Sequence, residues 1–156
     1  TDPGTGTRGI SAFIIENGTP GFKTGRDEKK MGLKGSVTSE LFFEDCRIPA
    51  ENLLGEQNRG FHQFLSTLDA GRIAIAAMAV GLAQGAYERS TKYAKGREQF
   101  GRPIADFQAI RWMIADMATG IDAARLMVHR AAWLKERGEP YTKEASMAKL
   151  LASAVS

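Results

Sequence analysis

KGREQFGRPIADFQAI, residues 95–110, breaks an otherwise helical pattern. Lys95, Arg97 and Arg102 crowd around Gly96, Gly101 and Pro103, with Phe100 among them. Glycine frees the backbone, and proline fixes φ and favours the restart of a helix. Before the break, helical periodicity begins at about Asn58, where Phe61, Phe64, Leu65 and Leu68 fall at spacings of three and four. It continues through IAIAAMAVGLAQGAYERSTKYA, whose Ala- and Gly-rich middle allows another helix to approach closely. After the break, a second long helix is expected from about Asp106, as N-cap, to Gly138 and Pro140. It carries Ile110, Met113, Ile114, Met117, Ile121, Ala124 and Met127 on one stripe. Thr142 is expected to cap a third helix. Two long helices and part of a third predict an antiparallel bundle.

Upstream, residues 8–48 read as β. GISAFIIEN (9–17) is rich in Ile and Phe and ends at the turn NGTPG. A short FKTGR follows, and then SVTSELFFEDCRI (36–48) alternates as a strand with at least one buried face. Pro49 ends it, and AENLLGEQNRG connects it to the helices. Three strands are too few for a closed core, so further strands are expected upstream. The chain opens without Met and stops inside a helical pattern, which reads as a piece of something longer.

The 156 residues suffice for a core, and 43% apolar with 25% charged is ordinary for a globular protein. A net charge of +3 fits an anionic small-molecule ligand or simply a lysine-rich surface. No block of like charge suits nucleic acid. The single Cys46 points to a reducing compartment and reads as a packed thiol. His62 and His129 stand alone, with no metal-ligand spacing around them. No signal peptide and no uninterrupted apolar run long enough to span a bilayer are read from the sequence.

Three stretches could carry chemistry. In REQFGRP, an Arg guanidinium can grip a phosphate through two parallel hydrogen bonds, which Lys cannot. Phe100 offers an apolar face, and Gln108, eleven residues after Arg97, offers an amide near a helix start. A diphosphate cofactor would use these groups; a plain helix-hairpin turn with solvated arginines would look the same. In LDAGRIAIA (68–76), Asp69 and Arg72 interrupt an apolar helix. They either pair with each other or face a cavity and hold a polar ligand. In EKKMGLKGSVTSELFFEDCRIP, Lys29, Lys30 and Lys34 read as a solvated loop.

Taken in order, KMGLKGSVTSELFFEDCRIPAENLLGE, GFHQFLSTLDAGRIAIAAMAVGLAQGAYERSTKYAKGREQFGRPIADFQAI and ADMATGIDAARLMVHRAAWLKERGEPYTKEASMAKLLAS resemble the acyl-CoA dehydrogenase family over nearly the whole chain. FFEDCRIP and LDAGRI are most similar to its short-chain, butyryl-CoA branch. The resemblance implies an α+β fragment. Residues 1–52 would be the later part of a middle β-domain, and residues 53–156 the first helices of a C-terminal antiparallel four-helix bundle. It implies an FAD flavoprotein of fatty acid β-oxidation, a homotetramer built as a dimer of dimers. Such an enzyme removes two hydrogens from an acyl-CoA thioester and passes electrons to an electron-transfer flavoprotein. It would work in the cytoplasm of a bacterium or in the mitochondrial matrix of a eukaryote.

By the same resemblance, Arg97, Gln99, Phe100 and Gln108 would contact FAD, in this family the FAD of a neighbouring subunit. Asp69, Ala70, Gly71 and Arg72 would contact acyl-CoA. The family's usual base, a Glu in a glycine-rich segment, is expected beyond residue 156. A minority of members place the base two residues after the Asp of this motif, and that residue here is Gly71. Glu88 and Asp116 are carboxylates better explained as a solvated helix face. Two other readings stand beside this one: an acyl-CoA oxidase or nitroalkane-oxidase-like relative, and a non-catalytic helical interaction module.

Overall fold

The computed structural model describes all residues, Thr1–Ser156. They form two compact units, Thr1–Phe64 and Leu65–Ser156.

The first unit is built from short strands. After a 3₁₀ segment at Pro3–Gly9 come β1 (Ala12–Phe13), β2 (Phe22–Asp27), β3 (Ser39–Phe43) and β4 (Leu53–Leu54). β1 pairs antiparallel with β4, and β2 pairs antiparallel with β3 in the register Phe22↔Phe43, Lys23↔Phe42, Thr24↔Leu41. Phe22 and Phe43 stack with ring centroids 5.2 Å apart. Two expected strands are shorter than the sequence reading: 9–17 contracts to two residues and 36–48 to five. Leu53–Leu54, read as connector, is a strand. A ladder needs a partner on at least one side; beyond the strands only single backbone bonds continue the pairing, such as Ile14 to Asn52 and Glu28 to Thr38. The expected buried face of β3 is not covered either, since Leu41, Phe42 and Phe43 all stay more than half exposed. Gly60 ends this unit's loops where the chain passes close to Ser11 and Ala12. A Cβ there would lie 2.6 Å from the Ala12 amide nitrogen.

Three helices dominate the second unit. α1 (Gly60–Gly96) begins in the first unit and runs for 37 residues. α2 (Gln108–Glu136) and α3 (Thr142–Val155) follow. Between α1 and α2 lie a two-residue hairpin, β5 (Glu98–Gln99) with β6 (Arg102–Pro103), and a 3₁₀ turn at Ile104–Asp106. The cap readings each move slightly. Asp106 belongs to the 3₁₀ turn, and Phe107 takes the N-cap of α2 with no side-chain hydrogen bond. Thr142 is the first residue of α3 rather than its cap. Gly138, at φ +70°, closes α2 as the sequence suggests.

Alanine makes the core. Ala76, Val80 and Ala83 of α1, Ile121, Ala124 and Ala131 of α2, and Ala148 and Ala152 of α3 form one buried cluster. Side chains this small let helix backbones approach closely, so dispersion between backbones replaces large interdigitating side chains. The packing is antiparallel from α1 to α2 and from α2 to α3. Gln84 meets Arg125, while Ala70 shares a groove with Lys135 and Glu136. Gly120 faces Val155, and Arg130 reaches towards Glu144 at 3.8 Å.

On membrane spans the sequence reading needs correction. α1 contains a stretch of mean hydropathy 1.4, long and apolar enough to cross a bilayer by length and composition. Only 11% of that stretch is buried within the chain; Ala76, Val80 and Ala83 of α1 pack in the bundle's core.

Candidate functional site

The break at residues 97–107 is a built object. Glu98 pairs with Pro103 and Gln99 with Arg102. The two tip residues, Phe100 and Gly101, have φ +54° and +75°. Two successive positive φ values mark the type I′ turn that suits a two-residue hairpin. Glycine takes this conformation freely, whereas a phenylalanine is strained there by about 1–2 kcal/mol. Phe100 is nonetheless 92% exposed. Packing within the chain therefore does not account for the strain at this tip.

The hairpin is anchored from behind. The Arg97 amide donates to the Tyr93 carbonyl at 2.8 Å, and the Ile104 amide donates to the Arg97 carbonyl at 2.7 Å. The Arg102 guanidinium lies 4.3 Å over the Phe107 ring, and Phe107 meets Phe100 edge-on with centroids 6.1 Å apart.

Beside the hairpin, Arg89, Lys92, Tyr93, Gly96 and Arg97 line an open cleft of about 430 Å³. Arg89, Lys92 and Arg97 take part in no ion pair of the chain. Three cations left unneutralised around one cleft, one of them an Arg with a planar fork of donors, suit a diphosphate or another multivalent anion. By this chemistry the residues present fit the anionic part of a dinucleotide such as FAD. Gln108 opens α2 next to the hairpin, exposed, and Gln99 is exposed on β5. The structure therefore brings Arg97, Gln99, Phe100 and Gln108 to one end of the helical unit. Arg89 and Lys92, which the sequence reading did not single out, share the face of Arg97. The three-residue spacing of Arg89 and Lys92 in the last turns before Arg97 was the available signal.

At the other end of α1, Asp69 and Arg72 pair directly through Oδ1 and Nη1. Thr142 Oγ1 donates to the second carboxylate oxygen, Oδ2, at 2.5 Å. The Asp69 side chain is 13% exposed and that of Arg72 38%. Of the two possibilities left open by the sequence, the pair forms. One N–H of the Arg72 guanidinium is used on Asp69, and its other donors make no hydrogen bond within the chain. Ala70 lies beside the pair in an apolar groove of about 490 Å³ that runs past Ile73, Ala74 and Ala77 to Val128, Ala132 and Lys135. Gly71 faces open space, with nothing within 4 Å of where a Cβ would stand. Glu88 accepts from Gln84 at 2.8 Å on an exposed face, and Asp116 is exposed as well.

The two clusters are not brought together. Arg97 directly follows the last residue of α1, Gly96, and Arg72 stands 25 residues before it, roughly 37 Å at 1.5 Å per residue.

The sequence and the fold recur in known proteins. Residues 58–156 match the family model for the acyl-CoA dehydrogenase C-terminal domain. Acryloyl-CoA reductase (NADH) of Anaerotignum propionicum is 54% identical over 153 residues, covering 98% of this chain and 39% of that protein. The CarC subunit of the caffeyl-CoA reductase-Etf complex of Acetobacterium woodii is 53% identical over 155 residues, covering 99% of this chain and 41% of that protein. Butyryl-CoA dehydrogenase of Megasphaera elsdenii superposes with a TM-score of 0.93 at 49% identity, over 99% of this chain and 40% of that one. The chain spans about two fifths of the length of the curated relatives it matches. With the helical unit matched by the family model and the fold by a solved relative, the chain belongs to the acyl-CoA dehydrogenase family.

Proposed function

We propose that the protein carrying this chain is an FAD-dependent acyl-CoA dehydrogenase that takes a short-chain acyl-CoA thioester and passes electrons to an electron-transfer flavoprotein. The observation that carries this reading is the cleft of unpaired Arg89, Lys92 and Arg97 behind a strained hairpin with an exposed Phe100 tip. The family match and the flavin-complex name of the Acetobacterium woodii relative support it. A short acyl chain is supported by the butyryl-CoA and acryloyl-CoA relatives.

In this reading, Arg97 grips the cofactor's diphosphate, Gln99 and Gln108 supply amide contacts, and Phe100 excludes water from beside it. FAD, when bound, supplies the acceptor for the hydride that leaves Cβ. At the far end, Arg72 presents its remaining donors to the polar part of acyl-CoA. Asp69 holds that guanidinium in place, and Ala70 and Gly71 leave room for the thioester. The family resemblance supports a hairpin that reaches the cofactor of a neighbouring copy, in a homo-oligomer built as a dimer of dimers. The separation of roughly 37 Å between the hairpin and Arg72 is compatible with that arrangement. By the family resemblance, the base that takes the α proton would lie outside residues 1–156; at the position some members use for it stands Gly71, and Glu88 and Asp116 are exposed. Residues 1–52 contribute to a β-domain and residues 53–156 to the bundle. The enzyme would work in the cytoplasm of a bacterium or the matrix of a mitochondrion.

The names of two relatives, acryloyl-CoA and caffeyl-CoA reductases, favour a second reading of the same site, in which electrons flow towards an enoyl-CoA. The test assays the full-length protein with butyryl-CoA and an electron-transfer flavoprotein, and with crotonyl-CoA and reduced flavoprotein. Acceptor reduction without peroxide supports the dehydrogenase, and faster turnover of the enoyl-CoA supports the reductase. Peroxide formed in step with turnover identifies an oxidase and overturns both.

A further inference from the structure

We infer that Thr142 is a positioning residue for the Asp69–Arg72 pair and sets the strength of thioester binding from a different helix. The inference rests on the reading of Arg72 as an acyl-CoA contact. Sequence patterning assigns Thr142 to capping, yet its hydroxyl does not cap α3. It donates instead to Asp69 Oδ2 at 2.5 Å, across 73 residues of sequence. Asp69 is largely withdrawn from water, so few solvent partners compete for its carboxylate. The carboxylate is divided between two partners, Arg72 on Oδ1 and Thr142 on Oδ2. Anchoring one oxygen fixes the rotation of the group and aims the other oxygen at the guanidinium. A hydroxyl–carboxylate bond is charge-assisted and among the stronger hydrogen bonds. Thr142 is also the first residue of α3, so Asp69 sits at the helix end whose dipole favours an anion. Without the hydroxyl, Asp69 can rotate, and the Arg72 guanidinium loses the fixed partner that orients it. The β-branched methyl of threonine adds stiffness at χ1 that serine lacks, but the bond itself needs only the hydroxyl.

The test uses the full-length, FAD-loaded protein with Thr142→Val, Thr142→Ser, Arg72→Gln and the double variant Thr142→Val/Arg72→Gln. Valine keeps the shape of threonine and removes the donor. The expected result is a rise of about tenfold in KM for butyryl-CoA in Thr142→Val, with kcat within twofold, flavin content unchanged, and recovery in Thr142→Ser. In the Arg72→Gln background, Thr142→Val should add less than twofold, because the hydroxyl acts through the guanidinium. Should Thr142→Val be poorly folded, Thr142→Ala in the same two backgrounds gives the same cycle. An unchanged KM in Thr142→Val, or equal effects with and without Arg72, overturns the inference while leaving Arg72 in its role. An unchanged KM in Arg72→Gln overturns the underlying reading of the thioester contact as well.

Discussion

At Arg97 and Phe100 the sequence departs from what local structure alone would choose. Asn-Gly is the favoured pair for a type I′ turn, and here Phe stands at φ +54°. Phe100→Asn should therefore stabilise the flavin-free protein by about 1 kcal/mol in urea unfolding, since the strain is relieved. The same variant should release FAD more readily, read from flavin fluorescence on dilution. A gain in stability without loss of flavin would mean the aromatic tip has no ligand role. Arg97→Lys should lose roughly ten- to a hundredfold in FAD affinity, because an ammonium cannot make two parallel bonds to a phosphate. Gly85 asks for the opposite change. It lies inside α1, and a Cβ would meet nothing within 4 Å. Gly85→Ala should raise stability by about 0.5–1 kcal/mol in the same unfolding experiment.

The elements were legible to unequal degrees, and the reason is the range of the forces that shape each. α1 and α2 follow a period of 3.6 that the chain writes locally, and glycine and proline mark the break between them. The hairpin at 98–103 was legible as a basic, glycine-punctuated interruption but not as paired strands, because two-residue ladders leave no alternation to read. Strand lengths upstream were misjudged because apolar residues such as Ile14, Val37 and Phe42 suggest burial whether or not a partner strand is present. The Thr142–Asp69 bond joins positions far apart in sequence and could not be read at all. The alanine seam was half visible: small residues in α1 predicted close approach, and Ala124 on α2 lay within the predicted stripe. Fully buried Ala124 meets that seam, so Ala124→Leu should overpack it and cost about 1–3 kcal/mol or more, measured by thermal unfolding. A neutral outcome would mean that the helices sit farther apart than described.

For the molecule as a whole, the distribution of apolar surface is the main observation. Ile75, Met78, Leu82, Trp112, Met113, Leu126, Trp133 and Leu150 all lie between 48% and 74% exposed. A surface this apolar belongs against other protein. Residues 1–156 made alone should self-associate and bind an apolar dye, and a monodisperse, dye-free monomer would favour a stand-alone helical module. The most direct measurement is an anaerobic titration of the full-length protein with butyryl-CoA, followed by the visible absorbance of its flavin. Bleaching that saturates, with a half-point shifted to higher thioester in Arg72→Gln, is the predicted result. A flavin spectrum unchanged by acyl-CoA of any chain length, or a protein purified without flavin that fails to take it up, would contradict the assignment.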